Sequence, residues 1–305
     1  MDPRDAAKRR ETIGLIGTGL LGSALAERFL AAGWDVIGYD VEPDCRRRLA
    51  ALGGRPVSSP EEVAGSCSRL VLSLPTSSIV AEVLDGLRAS FSPGFIVADT
   101  TTGDPDEVKT IGERLAAAGV HYLDATVGGS SRQVRAGEAI VLVGGEAEAF
   151  ERCRDLFGSF ARKTFYLGPC GSGARMKLVL NLVLGLNRAV LAEGLAFAEA
   201  IGLEPAKALE VLKDGPAYSR VMDTKGRKML AGDFEPEARL SQHLKDVRLI
   251  LEAGRRRGAR LPFSKLHRRL LEALERAGCG AADNSAVIRA FQPKAAKRKE
   301  SGRDG

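Results

Sequence analysis

The sequence predicts an α/β fold, with a doubly wound parallel sheet followed by an all-α C-terminal domain. In the first half of the chain, short β-branched runs alternate with helical patterns, the arrangement that builds parallel strands joined by crossover helices. Two of the runs, "RLVLSLP" and "GFIVADT", are apolar throughout and end in turn residues, as strands covered on both faces do. Beyond about Gly173 the strand signal stops, and every later segment keeps helical spacing. A chain of 305 residues is long enough for two such domains.

Taken in order, "TIGLIG" is a strand and "LLGSALAERFLAAG" a helix that ends at Gly33. "DVIGYD" is the second strand, and a helix follows around "DCRRRLAAL". After "RLVLSLP" and "GFIVADT" come the helix "EVKTIGERLAAAG" and the strands "VHYLDAT" and "EAIVLVGG". Residues 174–200 read as one long helix, and "PAKALEVLKDG", "LSQHLKDVRLILEAGRRRG", "FSKLHRRLLEALERAG" and "ADNSAVIRAF" continue the helical part. The expected organisation is a disordered basic tail over 1–11, an α/β domain over 12–173, a helical domain over 174–292 and a second basic tail over 293–305.

Composition narrows the function. The formal net charge is +6, of which residues 1–10 carry +2 and residues 293–305 carry +3, so the body is near neutral. Solvated tails explain that pattern without a nucleic-acid partner. Five cysteines (45, 67, 153, 170 and 279) form no CxxC pair, and three histidines (121, 243 and 267) stand alone. No metal site is expected, and a reducing, cytoplasmic setting is. The charged N-terminus lacks an h-region, so no signal peptide is expected. The longest apolar stretch, residues 178–200, is broken by Asn181, Asn187, Arg188 and Glu193 and reads as a buried helix, not a membrane span.

"GLIGTGLLGSALA" places Gly17, Gly19 and Gly22 as G-x-G-x-x-G directly after a strand and at the opening of a helix. The first glycine allows the tight turn, the second lets backbone approach a pyrophosphate, and the third allows close helix packing. Free N–H groups at the helix start then meet the phosphate charge. Thr18, Leu20 and Leu21, with the three glycines, are the expected cofactor contacts of this Rossmann-type turn. Asp40 ends the second strand, eighteen residues after Gly22, where a carboxylate can take both hydroxyls of the adenosine ribose. That carboxylate favours NAD. Arg46, Arg47 and Arg48 begin the next helix and could reach a 2′-phosphate, which keeps NADP open.

With these motifs the chain resembles the β-hydroxyacid dehydrogenases, the family of 3-hydroxyisobutyrate dehydrogenase, tartronate semialdehyde reductase and the glyoxylate/succinic semialdehyde reductases. The likeness runs from about Thr12 to Phe291, in the family's order. "SLPTSS" resembles the family's Leu-Pro loop, which implies cofactor contacts for Leu74 and Pro75. "ADTTTGDP" resembles its Asp-x-Ser-Thr-x-x-Pro turn, with Thr101 in place of serine, and implies another contact for Thr102. "DATVGGSS" resembles its Asp-Ala-Pro-Val-Ser-Gly-Gly substrate loop, "GSGARMKLVLN" its Gly-x-Gly-x-x-x-Lys-x-x-x-Asn helix, and "HLKD" its Lys-Asp pair. The resemblance implies NAD(P)-dependent hydride transfer between nicotinamide and a small 3-hydroxy acid or aldehyde acid. Candidate substrates are of the 3-hydroxyisobutyrate, tartronate semialdehyde, glyoxylate or succinic semialdehyde type.

Lys177 and Asn181 lie four residues apart, one turn of one helix face, among apolar neighbours. That helix begins where the α/β domain is expected to end, so the face should look into a cleft between domains. A carbonyl that receives a hydride becomes an alkoxide and needs a proton. A partly desolvated lysine can have a lowered pKa and act as acid or base, with Schiff-base formation the rival lysine chemistry. The resemblance implies the acid/base role for Lys177, a substrate hydrogen bond for Asn181, and for Lys245 a reach over the cofactor or the substrate carboxylate. In "DATVGGSSRQ" successive glycine N–H groups would seat a carboxylate, which names Thr126, Gly128, Gly129 and Ser130 as substrate-binding.

Here the sequence departs from the family: Thr126 replaces proline and Gly128 replaces serine, removing a hydroxyl that Ser130 or Ser131 could restore. Phe234, in "GDFEP", resembles a pocket-lining aromatic of the semialdehyde reductases. The long helix is too apolar for one domain to cover, so a homodimer or tetramer is expected. Two alternatives share the architecture: an imine reductase, whose relatives generally lack this lysine, and a non-catalytic dinucleotide-binding module. Lys177 argues against the first, and intact Lys177, Asn181 and Lys245 argue against the second.

Overall fold

A computed structural model describes residues 11–292. Eight strands form one sheet in the order β3–β2–β1–β4–β5–β6–β7–β8. The first six, β1 (Thr12–Ile16), β2 (Asp35–Tyr39), β3 (Arg55–Pro56), β4 (Arg69–Leu72), β5 (Ile96–Asp99) and β6 (His121–Gly128), are mutually parallel. Successive strand side chains point to opposite faces. Leu15, Val71, Ala98 and Leu123 accordingly join one buried cluster with Leu25 and Phe29 of α1 (Leu20–Ala31). Leu70, Leu72, Val97 and Tyr122 join a second cluster on the other face. That second cluster includes Val63 of α3 (Pro60–Ala64), Val80 of α4 (Ser77–Gly86) and Val108 of α5 (Pro105–Ala116). With α2 (Pro43–Ala51) following β2, this is the expected doubly wound arrangement.

The sheet is not parallel throughout. β7 (Ala139–Gly144) pairs antiparallel to β6, and β8 (Ala161–Tyr166) runs parallel to β7. The reason is length. Only the five-residue α6 (Ser131–Arg135) lies between β6 and β7, whereas a parallel return needs a crossover of about a dozen residues or more. The short helices α7 (Ala147–Glu151) and α8 (Arg154–Gly158) then lead to β8 at the sheet edge. The hydrophobic pattern passes over β8 because "ARKTFY" is partly solvated and carries two charges.

The chain forms two compact units that are not consecutive segments. Among the described residues, the first takes in 11–183 together with Lys245–Ser264; the second takes in Leu184–Leu244 and 265–292. All three divisions fall inside helices, namely α9 (Ser172–Ala200), α12 (Leu240–Arg256) and α13 (Pro262–Leu274). The second unit also holds α10 (Pro205–Asp214) and α11 (Arg227–Ala231). In it "ADNSAVIRAF" is a 3-10 run, Asn284–Ala290, not an α-helix. Its buried Asp283 takes Lys225 Nζ at 2.9 and 3.0 Å and the N–H groups of Glu237, Ala238 and Ser285. By length and composition alone α9 could cross a membrane, but its polar residues Lys177, Asn181 and Arg188 are buried against protein. The two expected basic tails lie outside the described residues, except Glu11, whose carboxylate holds Arg69 at 2.6 Å.

Candidate active site

The nucleotide turn is shaped by what its glycines touch. Gly17 has φ +90°, and a Cβ there or on Gly22 would collide with the carbonyl of Ser73 or of Gly17 respectively. A Cβ on Gly19 would meet nothing within 4 Å. Two glycines are thus closed by packing, while the middle one leaves room for a group to approach the backbone. Helix α1 has no side-chain N-cap and no acid in its first turn, which suits an anion at its opening N–H groups. Thr18 is buried, Leu20 is exposed beside the turn, and Leu21 packs on the core. Asp40 accepts from Thr18 N at 2.7 Å and from Glu42 N at 2.9 Å, tying the end of β2 to the glycine turn. Arg46 donates to the Asp40 carbonyl and lies 5.7 Å over the Tyr39 ring. Arg47 pairs with Asp44, and Arg48 donates to Cys45 Sγ. Thr18, the three glycines and Asp40 therefore fit a dinucleotide.

Two further loops meet beside this turn. Leu74 N donates to Thr101 Oγ1 at 3.0 Å, so the threonine that stands in for serine keeps a hydroxyl in use there. Asp99 fixes the second loop, accepting Thr101 N at 2.9 Å and Tyr122 OH at 2.6 Å. Burial pushes its carboxyl up to about 6. Lys245 Nζ donates to Pro75 O at 3.1 Å and Thr102 O at 2.6 Å, strapping α12 to both loops. On the same helix Arg256 pairs with Asp104, the N-cap of α5.

Lys177 is 9% exposed, and its Nζ donates to Val127 O at 2.6 Å. Burial pushes its pKa down to about 8; Asp246 pulls it back up, and the like charge of Lys245 pushes it down. Asn181 Nδ2 donates to Asp246 Oδ2 at 2.8 Å, which leaves the amide oxygen as an acceptor. The other Asp246 oxygen is 3.1 Å from Lys245 Nζ, an ion pair without hydrogen-bond alignment. Burial pushes the Asp246 carboxyl up, against the pull of Lys245 and Lys177. Lys177, Asn181 and Lys245 thus come together in the first unit around Asp246, which sequence reasoning missed. Its only signal was its place after Lys245 in "HLKD".

The substrate loop differs from expectation in detail. Thr126 is wholly buried, and its hydroxyl points to Gly173 O at 3.3 Å and Leu142 O at 3.5 Å, so it serves packing against α9. Gly128 is not simply a lost hydroxyl. A Cβ there would lie 2.7 Å from Ile140 Cγ1 and 2.9 Å from Leu180 Cδ2, so these side chains already fill the space. Ser130 caps α6, accepting Gln133 N, while its own N–H donates to Gln133 Oε1 at 2.9 Å. Gly129 precedes that cap. Phe234 belongs to the second unit, with the Arg289 guanidinium 4.5 Å over its ring. Among the described residues no group of three or more His, Cys, Asp or Glu could hold a metal ion.

Comparison with known proteins bears on the family and the fold. Residues 12–168 match the model of the NAD binding domain of 6-phosphogluconate dehydrogenase. Residues 171–291 match that of the NAD-binding region of NADP-dependent 3-hydroxyisobutyrate dehydrogenase. L-Threonate dehydrogenase of Cupriavidus necator is 31% identical over 92% of this chain and 95% of its own length. The chloroplastic glyoxylate/succinic semialdehyde reductase 2 of Arabidopsis thaliana is 31% identical over 95% of this chain and 81% of its own. Among solved structures, 3-hydroxyisobutyrate dehydrogenase from Salmonella typhimurium superposes with a TM-score of 0.84 at 26% identity, covering 92% of this chain and 99% of its own.

Proposed function

The chain belongs to the β-hydroxyacid dehydrogenase family, NAD(P)-dependent enzymes acting on hydroxyl groups, and from that premise we propose that it interconverts a small 3-hydroxy acid and its aldehyde acid, with NAD preferred and Lys177 as general acid/base. The observation that carries the reading is Lys177 itself, a buried lysine with a pKa near 8 on the helix face it shares with Asn181. A dinucleotide bound there would supply the nicotinamide for hydride transfer. Gly17, Thr18, Gly19, Leu20, Leu21 and Gly22 would hold its pyrophosphate and Asp40 its ribose hydroxyls, with Leu74, Pro75 and Thr102 as further cofactor contacts.

In the reducing direction protonated Lys177 donates from Nζ to the developing alkoxide. In the oxidising direction neutral Lys177 removes the hydroxyl proton. Asn181, its amide held by Asp246, offers its oxygen to the substrate hydroxyl and so orients it. Backbone N–H groups at Gly128 and Gly129 seat the substrate carboxylate, and Lys245 contributes charge. The exposed apolar residues Val179, Val183, Val190 and Phe197 on α9 support a homodimer that covers this helix. A cytoplasmic setting suits the free cysteines.

The test is a spectrophotometric screen of small hydroxy acids and aldehyde acids with both nicotinamides, on the parent and on Lys177→Ala. The variant should keep nucleotide affinity and lose at least about a hundredfold in kcat, the usual share of acid–base catalysis. A variant within a few-fold of the parent removes Lys177 from the chemistry. Turnover of neutral imines, with the acids inert, would favour the imine reductase instead.

A further inference from the structure

Strand β6 and helix α9 are joined at three places along a short run of each. Asp124 Oδ1 accepts from Gly171 N at 2.8 Å, and its Oδ2 accepts from Ala174 N at 2.7 Å. Thr126 Oγ1 donates to Gly173 O at 3.3 Å, and Lys177 Nζ donates to Val127 O at 2.6 Å. A helix leaves its first N–H groups without intrahelical partners, and a local side chain usually supplies the acceptor. Here the acceptor for Ala174 N is a buried carboxylate from a strand 50 residues earlier.

The glycines around the helix start have the same cause. A Cβ on Gly173 would collide with the carbonyls of Asp124 and Leu142, and one on Gly144 with the Asp124 carboxylate. What approaches the backbone at "GSGAR" is the chain's own strand. Lys177 follows Ala174 by less than one turn, so the depth of its ammonium depends on where that first turn sits.

We propose that Asp124 is a positioning residue for Lys177: its carboxylate docks the first turn of α9 onto β6 and thereby holds Nζ against Val127 O, out of water. Thr126, where the family has proline, adds a second tether to the same turn. The inference rests on the acid/base reading of Lys177 for its catalytic consequence, but not for its structural one.

Two readouts separate these. Lysine labelled with 13C at Cε reports the titration of Lys177 by NMR without substrate, the signal being assigned by its loss in Lys177→Arg. In the parent it should titrate near 8. In Asp124→Asn, which offers one N–H an amide nitrogen where it needs an oxygen, the first turn loosens and Lys177 is rehydrated. Its titration should then move up towards the ordinary lysine value of 10.5. Misplacing a reacting group by about 1 Å costs up to about a hundredfold, so kcat should fall at least about tenfold while the KM for NADH stays within about twofold.

Thr126→Val, nearly isosteric, should shift the titration the same way by less, and it decides the matter if Asp124→Asn does not fold. A folded Asp124→Asn with Lys177 still titrating near 8 overturns the inference, as does an unmoved signal in Thr126→Val where the first variant is unfolded. If Lys177→Ala retains turnover while the NMR shift is seen, the acid/base reading fails and the positioning stands.

Discussion

The pH dependence of the reaction should run in opposite senses in its two directions. Burial lowers the Lys177 pKa from 10.5 to about 8. At pH 7 an amine of pKa 8 is neutral about one-tenth of the time, against roughly three parts in ten thousand for an ordinary lysine, a gain of about 300-fold in usable base. Oxidation of a hydroxy acid, which needs the neutral amine, should rise with pH and level off above about 8. Reduction of an aldehyde acid, which needs the ammonium, should be flat below about 8 and fall above it. The neighbours fix the sign of two further shifts. Asp246 raises the Lys177 pKa, so Asp246→Asn should move the limb below 8. Lys245 lowers it, so Lys245→Met should move the limb up. The assay is kcat/KM against pH, followed by nicotinamide absorbance in both directions. Limbs that shift the same way in the two variants, or profiles of the same sense in the two directions, would refute Lys177 as the titrating group.

The remaining expectations concern specificity and stability. A 2′-phosphate would stand beside the Asp40 carboxylate, so NADH should give the higher kcat/KM, and Asp40→Ser should narrow the preference; a parent that favours NADPH contradicts the ribose assignment. Gly128→Ser must push Ile140 and Leu180 aside, and overpacking of this kind costs about 1–3 kcal/mol. Urea unfolding should register that loss and show recovery in Gly128→Ser/Ile140→Ala, whereas an undiminished single variant would mean the loop is looser than its contacts indicate. In the second unit Lys225→Met leaves the fully buried Asp283 without its main counter-charge. Breaking such a pair costs about 3–5 kcal/mol, and a change under about 1 kcal/mol in the same measurement would show that the N–H groups around Asp283 suffice.

What the sequence could reveal depended on how far apart the interacting residues lie in it. The glycine turn was legible because its constraint is local: Gly22 must be small to pass the carbonyl of Gly17, five residues earlier. The face shared by Lys177 and Asn181 was legible for the same reason, being a matter of helical spacing. The antiparallel return of β7 could have been read from the shortness of the β6–β7 connection, but apolar runs look alike in either direction. Asp246 was not legible as a partner of Asn181, because 65 residues separate them and each sits on its own helix.

Gly128 shows why such distance matters for function as well as fold. Read against the family, its missing side chain is a lost contact to substrate. In three dimensions the space is occupied by Ile140 from β7 and Leu180 from α9, two residues that no local pattern connects to the loop. A serine at position 128 therefore has to displace Ile140 and Leu180 before its hydroxyl can reach a substrate. Thr126 follows the same logic, since its hydroxyl is engaged by Gly173 O, where β6 docks the start of α9. Both departures fall where β6 meets β7 and α9, so the substrate this enzyme selects should depend on that packing as much as on any residue that touches the acid.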